Sequence, residues 1–258
     1  MRAKKSLGQN FLMHARIAER IALVADIKPD DVVLEIGPGT GILTRELLKK
    51  AGKVIAVETD KELFERLKID FANETEKGKL ELIHDDIRKY PLNTAIAGNS
   101  GYKVVANIPY YLTGEIFRMF LEVDNQPSAM TLLVQKEVAD RVVARDGKES
   151  ILSLSVKAYG APKREFLVPR GAFKPAPNVD SAVLSIRDIS RKNFASRKKE
   201  QLFFALLHAG FAHKRKFVRN NLLEARLPSG DISDKARAED VPLSVWLSIT
   251  KEKNPQSV

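Results

Sequence analysis

Asp31-Val-Val-Leu-Glu-Ile-Gly-Pro-Gly-Thr-Gly41 is the stretch that decides the fold. A short apolar run breaks into glycines at alternate positions. Behind them opens a helical pattern, Leu43, Leu47 and Leu48, which Gly52 ends. The order predicts a buried strand, a tight turn and a helix, the opening of an α/β unit. Glycine at such a turn lets the backbone approach a ligand with no Cβ in the way. The spacing narrows the ligand. A dinucleotide fingerprint has its third glycine five positions after the first, whereas Gly41 comes four after Gly37. No Gly-Lys-Ser/Thr follows, which excludes a triphosphate-binding loop.

Working outward, short strand-like runs alternate with helical patterns. Ile17, Ile21 and Val24 predict a first helix. Strands are expected at 54–57, 80–83, 103–106 and 129–134. Helices are expected around Leu63, Leu67 and Phe71, around Ile116, Phe117 and Phe120, and over 136–144. This alternation predicts a doubly wound, mostly parallel Rossmann-like sheet, with ligands bound beyond the carboxyl ends of its strands. After about residue 150 the pattern changes. Two antiparallel strands, 166–168 and 182–186, are expected to flank a proline-rich loop at 169–178. From Ser190 on, only helices are expected, at 202–212, 216–223 and 243–249. The predicted organisation is therefore an α/β domain of residues 1–189 and a small all-helical domain of residues 190–258.

Composition sets the partners. The 44% hydrophobic and 29% charged content is that of an ordinary globular protein. Absence of cysteine excludes disulfides and thiolate metal sites and fits a reducing cytoplasm. His14, His84, His208 and His213 have no metal-ligand spacing, so no metal is expected. The longest apolar runs are far too short to span a membrane. The net charge of +10 is clustered: residues 191–226 hold ten Lys/Arg against Glu200 and Glu224, and residues 1–20 hold five against Glu19. Two basic blocks imply a polyanion, because neutralising phosphates releases counterions.

The candidate site lies on successive predicted strand ends. Gly37 and Gly39 line the turn. Glu58 ends the second strand, where a carboxylate can accept both ribose hydroxyls. Asp86 lies just past the third strand, within reach of an adenine amino group. Together they fit S-adenosyl-methionine. Asn107-Ile108-Pro109-Tyr110 ends the fourth strand and joins an amide, a turn-forming proline and an aromatic ring. That trio suits methylation of an exocyclic amine on a nucleobase. The Asn107 oxygen and the Ile108 carbonyl can accept the two N–H groups while the Tyr110 ring stacks on the base. No strong general base is needed, since the product cation is acidic. The other reading of the tetrapeptide is a strand-ending turn with Tyr110 in the core.

With these residues in place, the chain resembles the ribosomal RNA adenine dimethyltransferases. It is most similar to the small-subunit enzymes, which dimethylate the N6 amines of two adjacent adenosines near the 3′ end of 16S RNA. The likeness covers nearly the whole chain. Leu7-Gly-Gln-Asn-Phe-Leu12 looks like the family's N-terminal motif, Glu35–Gly41 its donor loop and Asn107–Tyr110 its catalytic tetrapeptide, with Ile108 where Leu is commoner. Phe173-Lys-Pro-Ala-Pro-Asn-Val-Asp-Ser181 looks like its late loop, and Lys214–Leu222 its basic helix. Many methyltransferases share the glycine loop; the N-terminal motif and late loop are far more specific.

The resemblance implies donor contacts from Asn10, Leu12, Gly37, Glu58, Asp86 and Asn107. It implies a target base gripped by Tyr110 and Phe173, and RNA contacts from Lys214, Arg215, Lys216 and Arg219. It also implies a cytoplasmic, monomeric enzyme that acts on a small-subunit precursor and serves its assembly. A buried loop anchor is the other reading of Phe173, and Trp246 is expected in the core. The related macrolide-resistance enzymes, which methylate large-subunit RNA, are the close alternative. Residues 190–258, with Arg219–Leu222 and Trp246, look more like the small-subunit branch. A non-catalytic RNA-binding assembly factor is the rival of another class, against which the intact donor loop and Asn107 argue.

Overall fold

The computed structural model describes residues 8–92, 96 and 101–251. Arg2, Lys4 and Lys5 of the N-terminal basic block, Leu7 of the N-terminal motif and residues 252–258 lie outside them. Five strands form the parallel part of the main sheet: β2 (Val32–Ile36), β3 (Lys53–Glu58), β4 (Leu80–His84), β5 (Lys103–Asn107) and β6 (Ala129–Gln135). Their interior residues, such as Val33, Leu34, Val54, Val104, Val105 and Leu132, are fully buried. Strands covered by helices on both faces require such continuous apolar runs. The covering helices include α1 (Ala15–Val24), α2 (Ile42–Leu48), α3 (Lys61–Asp70), α4 (Ala72–Glu76) and α5 (Thr113–Leu121). α1 buries Ala18, Ile21 and Ala22, while Ile17 and Val24 of the predicted stripe are only partly buried against the same core.

The sheet order is β4-β3-β2-β5-β6-β9-β7. β9 (Ser181–Arg187) runs antiparallel to both β6 and β7 (Ala161–Val168). The chain winds outward from β2 through β3 to β4, then returns to place β5 on the other side of β2. That reversal is the topological switch point, where open α/β sheets bind ligands.

Some elements escape the sequence reading. β7 begins at Ala161 rather than 166, because Lys163, Arg164 and Glu165 hide an edge strand behind charge. The expected loop at 169–178 contains β8 (Phe173–Lys174), paired antiparallel with β1 (Phe11–Leu12). Neither two-residue segment signals a strand alone. The helix Ile151–Lys157 (α7), which follows α6 (Lys136–Val143), is also new; Ser150 and Ser153 close a capping box at its start.

The chain divides into two compact units, one of residues 1–139 and 161–189, the other of 140–160 and 190–258. The expected continuous domain of 1–189 is thus corrected: residues 140–160 belong with the C-terminal unit. The reason is a polar and aromatic network local in space but not in sequence. Ser190 N donates to Tyr159 O at 2.9 Å and Asn193 Nδ2 to Ala158 O at 2.7 Å. The Tyr159 hydroxyl donates to buried Glu200, and its ring meets Phe194 edge-on at 5.4 Å.

Within this second unit, α8 (Arg197–Gly210), α9 (Val218–Glu224) and α10 (Leu243–Lys251) form the helical part. Trp246 is fully buried, its Nε1 donating to Val241 O at 3.1 Å, as expected for a core residue. Its ring lies so close to Gly210 that a Cβ there would clash. The helix expected at 216–223 starts only at Val218, so Lys214, Arg215 and Lys216 lie in the preceding loop and not on a basic helix.

Candidate active site

Strand register assembles the site. Ile36 aligns with Val57 on one side and with Ala106 on the other. Gly37, Glu58 and Asn107 therefore leave neighbouring strands at one level. Glu58 in turn aligns with His84, which brings Asp86 two residues beyond the same edge. All four, with Gly39, Asn10, Leu12, Ile108, Pro109 and Tyr110, line one cleft with about 1040 Å³ of empty space, part of it open to solvent.

The glycine loop is shaped by backbone that other residues resist. Gly37, Gly39 and Gly41 have φ of 63°, 59° and 75°, in the left-handed region. Nothing stands within 4 Å of a Cβ built on Gly37, so open space adjoins the loop there. A Cβ on Gly41 would lie 2.6 Å from the buried Phe71 ring, which also demands glycine. Gly39 N donates to Glu58 Oε2 at 3.0 Å, and Asp60 N to Glu58 Oε1 at 2.8 Å. The Glu58 carboxylate is thus immobilised from two backbone directions, while each oxygen keeps acceptor capacity. Burial pushes its carboxyl above the ordinary range against these donors.

Glu35, at the end of β2, is a site residue that sequence reasoning passed over. Its carboxyl is buried under the loop, and Oε2 has no hydrogen-bond partner among the described residues. Burial pushes it up to about 8. It lines the same cleft.

The N-terminal motif closes the site from above the loop. Gln9 Nε2 donates to Asp60 Oδ2 at 3.0 Å, and Asp60 caps α3. β1 pairing places Leu12 opposite Phe173, and Met13 N donates to Ala172 O at 2.9 Å. The two most specific sequence motifs are thereby hydrogen-bonded to each other. Asn107 Nδ2 donates to Asn10 O at 3.0 Å. A backbone carbonyl only accepts, so the amide nitrogen must face it. Asn107 Oδ1 is left as the acceptor on the other side, with no partner among the described residues. Tyr110 is half-buried, and its hydroxyl shares a 2.8 Å hydrogen bond with Ser181 Oγ at the start of β9. Burial raises its phenol, so the ring stays neutral.

Two expectations change. Phe173 does not line the cleft: it is 4% exposed and packed in the core with Leu12, Val105, Leu133 and Val183. The β1–β8 pairing turns it inward, so the buried-anchor reading holds in this structure. Asp86 reaches the cleft edge, but its carboxylate is already held by Arg88. Arg88 Nε lies 2.9 Å and 3.0 Å from its two oxygens, and Nη2 also contacts Oδ2. Those bonds hold the Asp86 carboxyl below its ordinary value. Phe11, Arg88 and Tyr111 line the cleft as well. Only their nearness to known motifs could have marked them.

Lys214 and Arg215 are exposed. Lys216 pairs with Glu224 at 3.1 Å and Arg219 with Asp234, both at the surface. Such exposed pairs contribute little to stability. Among the described residues no group of His, Cys, Asp and Glu could hold a metal, and no helix is long and apolar enough to cross a membrane.

The family model described as Ribosomal RNA adenine dimethylase matches residues 1–254. The Ribosomal RNA small subunit methyltransferase A of Dehalococcoides mccartyi is 40% identical over 264 residues, covering 98% of this chain and 89% of the relative. The 23S rRNA methyltransferase ErmE superposes with a TM-score of 0.76 at 27% identity, covering 94% of this chain and 98% of that one. A dimethyladenosine transferase from Plasmodium falciparum shares the fold, with a TM-score of 0.77 at 24% identity over 93% of this chain and 95% of that one.

Proposed function

Since the chain belongs to the ribosomal RNA adenine dimethylase family, we propose that it transfers methyl groups from S-adenosyl-methionine to two adjacent adenosines, at their N6 amines, near the 3′ end of small-subunit 16S RNA. The observation that carries this reading is the orientation of Asn107, whose amide nitrogen is committed to Asn10 O. Its oxygen is thereby presented where an exocyclic amine would be recognised.

S-adenosyl-methionine fits the cleft: open space adjoins Gly37, and Glu58 offers two anchored oxygens. When bound, it supplies an electrophilic methyl group. In the proposal, Gly37, Gly39, Glu58 and Asp86 hold it together with Asn10, Leu12 and Asn107. The chain's own residues do the rest by positioning. Adenine N6 is a poor nucleophile because its lone pair is delocalised into the ring. Asn107 Oδ1 and the Ile108 carbonyl accept its two hydrogens and favour a more pyramidal nitrogen. Pro109 fixes the turn after β5, and the Tyr110 ring stacks on a base extruded from its neighbours. Well-oriented reactants gain roughly 7–11 kcal/mol. As the N–C bond forms and the donor's S–C bond breaks, the methylated amine becomes an acidic cation that loses its proton to water, so a strong base is unnecessary. For the second methyl the amine has one hydrogen left, and one acceptor is released.

The higher identity to a small-subunit enzyme than to the 23S enzyme supports the small-subunit substrate. In this reading Lys214, Arg215, Lys216 and Arg219 bind phosphates of the RNA. A monomer acting in the cytoplasm on a precursor of the small subunit, with a role in its assembly, completes the proposal. Labelled donor and unmethylated small subunits, followed by nucleoside analysis, test it. Dimethyladenosine at two adjacent positions is expected; label confined to large-subunit RNA overturns the substrate.

A further inference from the structure

Tyr110 and Tyr111 are adjacent in sequence but differ in every physical respect. Tyr110 is half-buried and tethered through its hydroxyl to Ser181. Tyr111 is 59% exposed, yet it lines the same cleft. Its ring lies against the N-terminal segment: a Cβ built on Gly8 would stand 3.2 Å from its Cδ1 and Cε1. Gly8 thus leaves room for the ring beside the N-terminal segment. Arg88 stands at the same mouth, 45% exposed, and its positive charge is favoured above all by Asp86. The packing of the fold has no use for a large aromatic ring left so open.

An open aromatic face is a stacking platform for any base, and the Arg88 guanidinium, whose Nε and Nη2 hold Asp86, still has Nη1 to offer a phosphate. The location says which nucleotide. A base turned out of its stack stays bonded through phosphodiesters to its neighbours, which must lie at the cleft mouth. The neighbour is left with an uncovered face that would otherwise draw the target base back. We propose that Tyr111 and Arg88 form a second nucleotide subsite, taking the base and phosphate of the residue next to the target adenosine. This rests on the RNA-methylation reading above and adds to it a platform that no motif marks.

The test compares Tyr111→Ala and Tyr111→Phe with wild type, using unmethylated small subunits and a short single-stranded RNA carrying 2-aminopurine beside the target adenosine. Tyr111→Ala should raise KM for small subunits about 5- to 150-fold, the range that stacking on one aromatic face provides. It should also relieve the 2-aminopurine quenching seen with wild type. Donor Kd and Tm should stay unchanged, and Tyr111→Phe should behave as wild type. Unaltered KM or unaltered quenching in Tyr111→Ala overturns the subsite, as does a Tyr111→Phe variant as weak as Tyr111→Ala. A wild-type protein that methylates no RNA, while its quenching still depends on Tyr111, overturns the proposed function and leaves the subsite standing.

Discussion

Asn107 Nδ2 donates a 3.0 Å hydrogen bond to the carbonyl oxygen of Asn10, across 97 residues of sequence. This contact decides which end of the Asn107 amide faces the cleft. It also joins the N-terminal motif to the tetrapeptide that follows β5. Asn107→Ala should therefore lower methyl transfer by about 100-fold or more, the penalty of a mispositioned reactant. Donor affinity should fall only modestly. Asn107→Asp should be as poor, because a carboxylate has no hydrogen for Asn10 O and is repelled by it. Single-turnover transfer and donor Kd, measured side by side, check this; full turnover in Asn107→Ala would remove the residue from the acceptor site.

Glu58 serves the loop before it serves a ligand. In Glu58→Ala, Gly39 N and Asp60 N both lose their acceptor. The buried Asp60 amide left without a partner costs about 1–3 kcal/mol, and the part-buried Gly39 amide less. Donor binding by calorimetry should be lost and the melting temperature lowered. Glu58→Gln, which keeps one oxygen, should lie between the two.

The buried Glu35 carboxyl predicts a pH dependence of stability. Burial lifts it from 4.5 to about 8 in the folded chain. Between those values the native state holds a proton that the unfolded chain releases, so stability falls as pH rises through the window. Glu35→Gln cannot ionise. It should match wild type near pH 5 and exceed it above pH 8 by several kcal/mol, since each pH unit of that window is worth about 1.36 kcal/mol. Thermal melts at both pH values check the sign. A variant equally destabilised at both would show that Glu35 is ionised in the fold.

Phe173 is a packing residue in this structure. Phe173→Ala should cost about 3–5 kcal/mol of stability. Phe173→Leu should melt a little lower and keep its affinity for RNA. Selective loss of RNA affinity in Phe173→Leu, at an unchanged melting temperature, would return the residue to the base-gripping role that the family resemblance implies.

Replacing Lys214 and Arg215 by Ala should weaken RNA binding and reduce the slope of log K against log salt by about 0.7 for each single-strand phosphate no longer neutralised. Replacing Lys216 and Arg219 should do less, because each already neutralises an acid of its own unit. An unaltered slope in the first pair would put the RNA surface elsewhere.

Sequence alone determined the parallel sheet and the donor loop. Continuous apolar runs and left-handed glycines carry their conformational demands within a few residues, as 31–41 does. It likewise determined that Glu58 and Asn107 share a site, since strand ends at a switch point converge whatever the loops do. Where Phe173 points is set by contacts made on folding. Its inward turn depends on pairing with Leu12, a partner far away in the chain. The same holds for the residues 140–160, drawn to the second unit by Tyr159 and Ala158, and for Tyr111, whose exposure no periodicity reports. Local propensity writes elements and strand ends into the sequence. Burial and hydrogen-bond partnership across long separations arise only when the chain has folded.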